Sequence, residues 1–426
     1  MIAADLTRQM KAEGHDVKLY IEDKTSKESL DNIVKKTSNW RNELEWVGRN
    51  GLIIFDDIGY GKIQDNLRKQ GYVVFGGNEL GDKLETDREY GQKIFKECGL
   101  KTVELKDFND IDDAVNFVKK NPKAWVIKQN DHGSKSLNYV GHFQDGRDVI
   151  SVLKNYLQNK NINREKITLH ERIYGVEIGV GRYFNGTNWV GPIEYNVEHK
   201  MMFPGDIGPS TSEMGTLAWY DDNENIKLYK QTLEKMKPYL QKIDFRGDME
   251  INFIVNEHEA IPLEASPRFG SPIIHLHKEI HMSPWGEFLY NIAKGQDYKL
   301  KWKKGYGIVV LLAIPPFPYG NDRIKNDSNL LHGINIYFDN IKESDFQHIH
   351  FEDISARLDN SKQLYITGKY GYAMYVTGID ETISVARKKV YDLTKKIIIP
   401  KMFYRIDIGE KFDRENIQKL KKWGWL

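Results

Sequence analysis

The sequence has 426 residues, 62 Lys and Arg against 61 Asp and Glu, and a formal net charge of +1, which excludes the basic footprint of a nucleic-acid binder or an anionic-membrane binder. Mean hydropathy is −0.59, and no apolar run approaches the ~18–20 residues of a membrane-spanning helix. One cysteine, Cys98, excludes a disulfide framework and a four-cysteine zinc site and fits a reducing cytoplasm, and Met1–Lys18 lacks the apolar core of a signal peptide. The expectation is a cytoplasmic multidomain protein, a monomer or weak dimer, that acts on small molecules and binds neither nucleic acid nor membrane.

The elements follow in chain order. Ile2, Leu6 and Met10 have helical spacing and end at Gly14, and Val17–Ile21 reads as a strand. The apolar runs Leu52–Phe55 and Val73–Phe75 close on Asp56-Asp57 and Gly76-Gly77. Short apolar strands alternating with helices predict a parallel α/β layer over residues 1–80. The sequence begins inside its first helix, so the layer lacks the central strand such sheets normally have, and an apolar strand is expected upstream of Met1. One charged amphipathic helix is predicted from Leu84 to Gly99. Strands at Ala124–Lys128, Ile167–His170, Glu177–Tyr183, Glu250–Val255 and Ala260–Glu264 make residues 81–300 an α+β region with antiparallel hairpins. Residues 301–426 hold a strand at Gly307–Ile314, shorter strands and a helix over Glu381–Lys396.

Three segments carry candidate chemistry. The strand ending at Lys128 precedes Asp131-His-Gly133-Ser134-Lys135-Ser136, which reads as a phosphate-cradling hairpin or as an ordinary polar turn. In Glu171-Arg-Ile173-Tyr-Gly-Val-Glu177, backbone could bond an adenine edge and Glu177 could accept from ribose hydroxyls. Glu250-Ile-Asn252 is followed by Glu264-Ala-Ser266-Pro-Arg268. Period-two alternation puts Glu250 and Asn252 on one face, with Glu264, Ser266 and Arg268 on a second face opposite. Such oxygens suit Mg²⁺, and an arginine at the rim suits a carboxylate. The three glycines and central Pro-Ser-Thr of Gly205–Gly215 predict an irregular binding loop.

In order and spacing, these segments resemble the glycinamide ribonucleotide synthetases (phosphoribosylamine–glycine ligases) of the ATP-grasp superfamily. Gly205–Gly215 is similar to that family's Gly-Asp-Thr-Gly-Pro-Asn-Thr-Gly-Gly-Met-Gly loop, and Glu264–Ile273 to its Glu-Phe-Asn-x-Arg-Phe-Gly-Asp-Pro-Glu signature. Glu198-His199-Lys200 resembles its Asp-His-Lys, and Tyr404–Gly409 its Tyr-Arg-x-Asp-Ile-Gly ending.

The resemblance implies an ATP-grasp fold with an N-terminal parallel α/β domain and a C-terminal β-rich domain. It implies ATP-dependent ligation through an acyl phosphate, with glycine as the acid and 5-phosphoribosylamine as the amine, in purine biosynthesis. ATP and Mg²⁺ (or Mn²⁺) are the implied cofactors. Arg88, Lys128, Gly133, Ser134, Lys135, Glu171, Ile173 and Glu177 would hold the nucleotide. Glu264, Ser266 and Asn252 would hold metal. Arg268 and Lys135 would act on the reacting groups, and Asp206, Pro209, Ser210, Thr211, Met214, Gly215 and Arg268 would line the substrate site.

Departures from the family pattern stand beside it. Ser266 replaces an asparagine, Asn252 stands where many ATP-grasp enzymes have glutamate, Ser136 replaces a glycine, Ser271 and Ile273 replace an acidic pair, and Glu213 enters a glycine position. They leave two alternatives: the same chemistry on another acid or amine, or a nucleotide-binding protein with weakened catalysis. His275-Leu-His277, His281 and His348-Ile-His350 are read as structural or pocket-lining, because the sequence identifies no converging partners for a zinc site. Gly59-Tyr-Gly61-Lys62 lacks the third glycine of a dinucleotide fingerprint, and Cys98 reads as core.

Overall fold

The computed structural model describes residues 2, 4–129, 138–158, 167–319, 331–359 and 363–426. At the N-terminus, Leu52–Ile54 and Val73–Phe75 pair in parallel, as the alternation predicts. The Leu6–Ala12 helix, Val73 and Phe75 share a core with Phe269, Trp285 and Phe288. Val17–Ile21 is not a strand: it makes one isolated bridge, Leu19 to Lys36. The physical reason is the lack of a neighbour. Between this segment and Leu52–Phe55 lies a cavity of 760 Å³, lined by Leu6, Met10, Val17, Leu19, Ile21 and Leu52 among others.

The helix predicted over Leu84–Gly99 is two helices, Glu79–Thr86 and Arg88–Glu97. Asp87 breaks them apart. It leaves helical backbone geometry at φ −121°, ψ 96°, and its carboxylate accepts the amide of Tyr90 at 3.0 Å, an N-cap that starts the second helix at Arg88.

Two antiparallel sheets follow. The smaller runs Lys106–Phe108, Ile167–Glu171, Trp125–Gln129, Tyr139–Val140. The larger has eight strands in the order Ala260–Ser266, Arg246–Val255, Val176–Asn185, Trp189–Glu198, Gly215–Asp221, Tyr306–Ala313, Tyr372–Asp380, Ile349–Phe351. It crosses residue 300 without a break, because Tyr306–Ala313 pairs with Gly215–Asp221 on one side and Tyr372–Asp380 on the other. The Ile383–Thr394 helix, capped by Thr382, buries Ala386 and Val390 beneath these strands. Among the described residues no helix is long and apolar enough to cross a membrane.

The Gly205–Gly215 segment is more regular than its composition suggests. Ile207–Ser210 is a strand paired with Met201–Phe203, and Gly215 opens the next strand. Gly205 and Asp206 take φ values of +78° and +59°, and this left-handed pair lets the chain reverse tightly. His275 and His277 lie in a helix, Ile273–Ile280.

Candidate active site

The register of the large sheet places the candidate metal ligands. Asn252 faces Glu264 and Glu250 faces Ser266 across one antiparallel ladder. Directly opposed residues project to the same side of a sheet, so all four share one face, and the two opposing faces predicted from alternation become one. Arg268 lies beyond the end of this strand and turns elsewhere.

Two glycines make room on that face. Gly179 and Gly181 of the adjoining strand stand opposite Asn252 and Glu250. A Cβ at Gly179 would come within 2.4 Å of Asn196 Oδ1 and 2.6 Å of Glu250 Oε1. A buried polar layer fills the space. Asn196 Nδ2 donates to Glu194 Oε1 at 2.6 Å, and Glu194 lies 2.6 Å from His277 Nε2. Burial, reinforced by the neighbouring Glu194 and Glu198, pushes the Glu250 carboxyl well above the usual range.

Lys200 is the cationic centre of the exposed rim. Its ammonium lies 2.8 Å from Glu198, 3.3 Å from Glu264 and 3.4 Å from Glu177. Against the cost of burial, these three carboxylates hold it well above the ordinary lysine value. Lys128, on the inner strand Trp125–Gln129 of the small sheet, shares the electrostatic field of Glu264, Arg88, Lys200 and Glu177. Burial lowers the pKa of both Lys128 and Arg88. Residues from both sheets and from the start of the Arg88 helix therefore meet at one place. Three cations and two carboxylates there suit a polyphosphate with a divalent ion.

The oxygen donors fit such an ion. Asn252 is 3% exposed, and its Oδ1 has no hydrogen-bond partner among the described residues. Glu264 stands directly across from it and reaches solvent. Ser266 is a half-buried neighbour on the same face.

Arg268, two residues beyond Ser266, is held by groups outside the large sheet. It donates to Glu85 Oε1 from Nη2 at 2.9 Å and from Nε at 3.3 Å, and to the Phe269 carbonyl at 3.0 Å. Asp57 lies 3.4 Å away. Burial raises the pKa of both Glu85 and Asp57, with Arg268 opposing.

Other predicted residues are dispersed. The Glu171 side chain faces away and pairs with Lys123 at 2.7 Å on the surface, although its backbone joins the small sheet beside Trp125. Ile173 follows in the loop after that strand. Gly133, Ser134, Lys135 and Ser136 lie outside the described residues.

In the hairpin, Asp206 is taken up by Arg405 at 2.9 Å and Thr211 by the Lys200 carbonyl at 2.8 Å. Met214 is fully buried and Gly215 pairs with Val310, whereas Asp206 and Ser210 are exposed and Pro209 is half-buried. Arg405, 1% exposed, also binds Asp407 and the Met201 carbonyl, so the Tyr404–Gly409 motif clamps the base of the hairpin. His199 completes the clamp by accepting the Gly409 amide at Nε2, 3.1 Å. That role needs a neutral ring, and burial lowers its pKa to about 4.

The residues that sequence reasoning left without a role are Lys200, Glu85, Asp57 and Glu194, the last of which pairs with His277, read from the sequence as structural or pocket-lining. Only Lys200 carried a signal, its place in Glu198-His199-Lys200.

Residues 86–273 match the family described as phosphoribosylglycinamide synthetase, ATP-grasp (A) domain. A phosphoribosylamine–glycine ligase of Helicobacter pylori is 23% identical over 82% of this chain and 79% of its own. One from Lactococcus lactis is 22% identical over 90% and 87%. The crystal structure of phosphoribosylamine–glycine ligase from Thermotoga maritima superposes with a TM-score of 0.70 at 19% identity, covering 95% of this chain and 97% of that one. Biotin carboxylase from Campylobacter jejuni, bound to an ATP analogue, follows the fold with a TM-score of 0.66 at 11% identity, over 99% and 96%. The chain has the ATP-grasp fold, and its residues 86–273 match the ATP-grasp (A) domain of the phosphoribosylglycinamide synthetase family.

Proposed function

We propose that this protein is an ATP-dependent carboxylate–amine ligase that joins glycine to 5-phosphoribosylamine. The observation that carries this reading is the gathering of Lys128, from the small sheet, and Arg88 near Lys200, Glu177 and Glu264 at the large sheet. The relatives named above supply the substrates.

In this mechanism a glycine carboxylate oxygen attacks the γ-phosphorus of ATP. The bond to the β-phosphate oxygen breaks, and ADP leaves an acyl phosphate. The amine of phosphoribosylamine then attacks the acyl carbon, loses a proton, and expels phosphate to give the amide. No side chain becomes covalently linked. Lys128, Arg88 and Lys200 neutralise phosphate charge, and Glu177 holds the ribose. Arg268 offers a planar fork to the reacting carboxylate and to the oxyanion that follows, a gain realised most fully in the transition state. Glu264 and Asn252, with Ser266 beside them, would hold a divalent ion such as Mg²⁺, which would supply charge neutralisation for the phosphates.

A second reading has support in the acceptor region. Glu213 is buried there, its pKa raised well above the usual range by burial and by Glu198, and Ser271 hydrogen-bonds Tyr375 where the family has an acidic residue. The same chemistry on a different amine follows from that change. ADP release with Mg²⁺–ATP and a panel of amino acids, with and without fresh phosphoribosylamine, separates the two. Turnover that needs glycine and phosphoribosylamine together supports the first reading, and indifference to phosphoribosylamine refutes it.

A further inference from the structure

Sequence reasoning found no partners for the histidines, but the fold supplies them from opposite ends of the chain. Asp5 immediately precedes the first helix, His275 lies on the Ile273–Ile280 helix, and His350 lies on the edge strand Ile349–Phe351. Their exposures are 1%, 2% and 0%, and one donor atom from each falls within 4.8 Å of the others. His350 Nδ1 and Asp5 Oδ2 are 3.2 Å apart, about the edge of a tetrahedron with ~2.0 Å bonds. The His275 ring stacks on His350 at 4.9 Å, and its Nε2 has no hydrogen-bond partner among the described residues. Around these three lies a supporting layer. Glu279 meets the other nitrogen of His350 at 3.1 Å, the carboxylate–histidine arrangement that orients a ligating imidazole. Arg8 holds the second oxygen of Asp5 at 2.7 Å.

We propose that Asp5, His275 and His350 form a buried site for a zinc-class divalent ion that staples the N-terminal helix, the Ile273–Ile280 helix and the C-terminal edge strand together. Two imidazoles and one carboxylate favour zinc over magnesium, whose preference is for oxygen alone. The site is separate from the oxygen ligands around Glu264 and does not depend on the proposed ligase activity. Lys278 is its built-in competitor: the ammonium sits 2.5 Å from Asp5 Oδ2 and provides the counter-charge when no metal is bound. A zinc ion must take that oxygen from it, and the lysine, 12% exposed, has a route to solvent.

The test is zinc binding by the chelator-stripped full chain, measured by equilibrium dialysis against Zn²⁺ with magnesium in excess. One zinc per chain is expected, with a higher melting temperature. His350→Gln and His275→Ala should lose it, Glu279→Gln should weaken it about 10–100-fold, and Glu264→Gln should keep it. Lys278→Met should bind zinc more tightly than the wild type, a gain that misfolding cannot mimic. No stoichiometric zinc in the wild type, zinc lost in Glu264→Gln, or no tightening in Lys278→Met would overturn the proposal.

Discussion

Arg268→Lys keeps the charge and removes the fork. In the structure the guanidinium makes two bonds to Glu85 and one to the Phe269 carbonyl, with Asp57 at 3.4 Å. A lysine ammonium reaches one of these positions but cannot span them, because it is a point donor on a flexible stem. One charged hydrogen bond is worth about 1.5–3 kcal/mol, so about 3 kcal/mol is lost once a half-relieved Glu85 is included. If that bond network presents the arginine to the reacting carboxylate, kcat/KM falls about 100-fold. The assay is ADP release at saturating ATP with glycine and phosphoribosylamine, alongside a thermal melt. Unchanged turnover in a folded Arg268→Lys protein refutes the role of the fork. An activity loss explained entirely by a lower melting temperature refutes it equally.

Three further outcomes follow from the geometry. Glu264→Ala should abolish ADP formation yet shift stability by no more than ~0.5 kcal/mol, since the side chain is half exposed, as a denaturant titration would report. Gly179→Ala should destabilise by about 1–3 kcal/mol, read from the urea midpoint, because its Cβ would enter the Asn196–Glu250 layer; a neutral result would mean that layer is loosely packed. His199 is neutral when folded, with a pKa of about 4, against ~6.5 unfolded. The unfolded chain therefore binds the extra proton between those values, and stability falls as pH drops from 6.5 towards 4. His199→Gln should flatten that part of the stability–pH curve, and an unaltered slope would assign it to other groups.

Legibility in the sequence followed the range of the interaction. The paired strands around Glu250 and Glu264 were visible because alternation and a short turn are local signals, and Lys128 stood out at the end of an apolar run. The common face of Asn252, Glu264, Glu250 and Ser266 was not visible, since register decides it and alternation alone allows either side. Asp87 hid a helix break inside a continuous amphipathic pattern. Gly205–Gly215 looked irregular because turn formers dominate its composition, while Arg405, some two hundred residues later, holds it in place. The Asp5–His350 contact spans 345 positions, and no local pattern announces a pair so far apart.

The unbroken sheet also constrains how the protein is made. The strand Gly215–Asp221 leaves the ribosome long before Tyr306–Ala313, its partner on one side, and that strand in turn waits for Tyr372–Asp380. Until translation reaches them, the nascent chain displays an open edge beside a finished nucleotide cleft, the kind of surface that invites pairing with another copy. A fragment cut after residue 273 would keep that edge permanently. The matched 86–273 segment lacks the strands that cover this edge, so attempts to express it alone should yield aggregates where the whole chain stays dispersed.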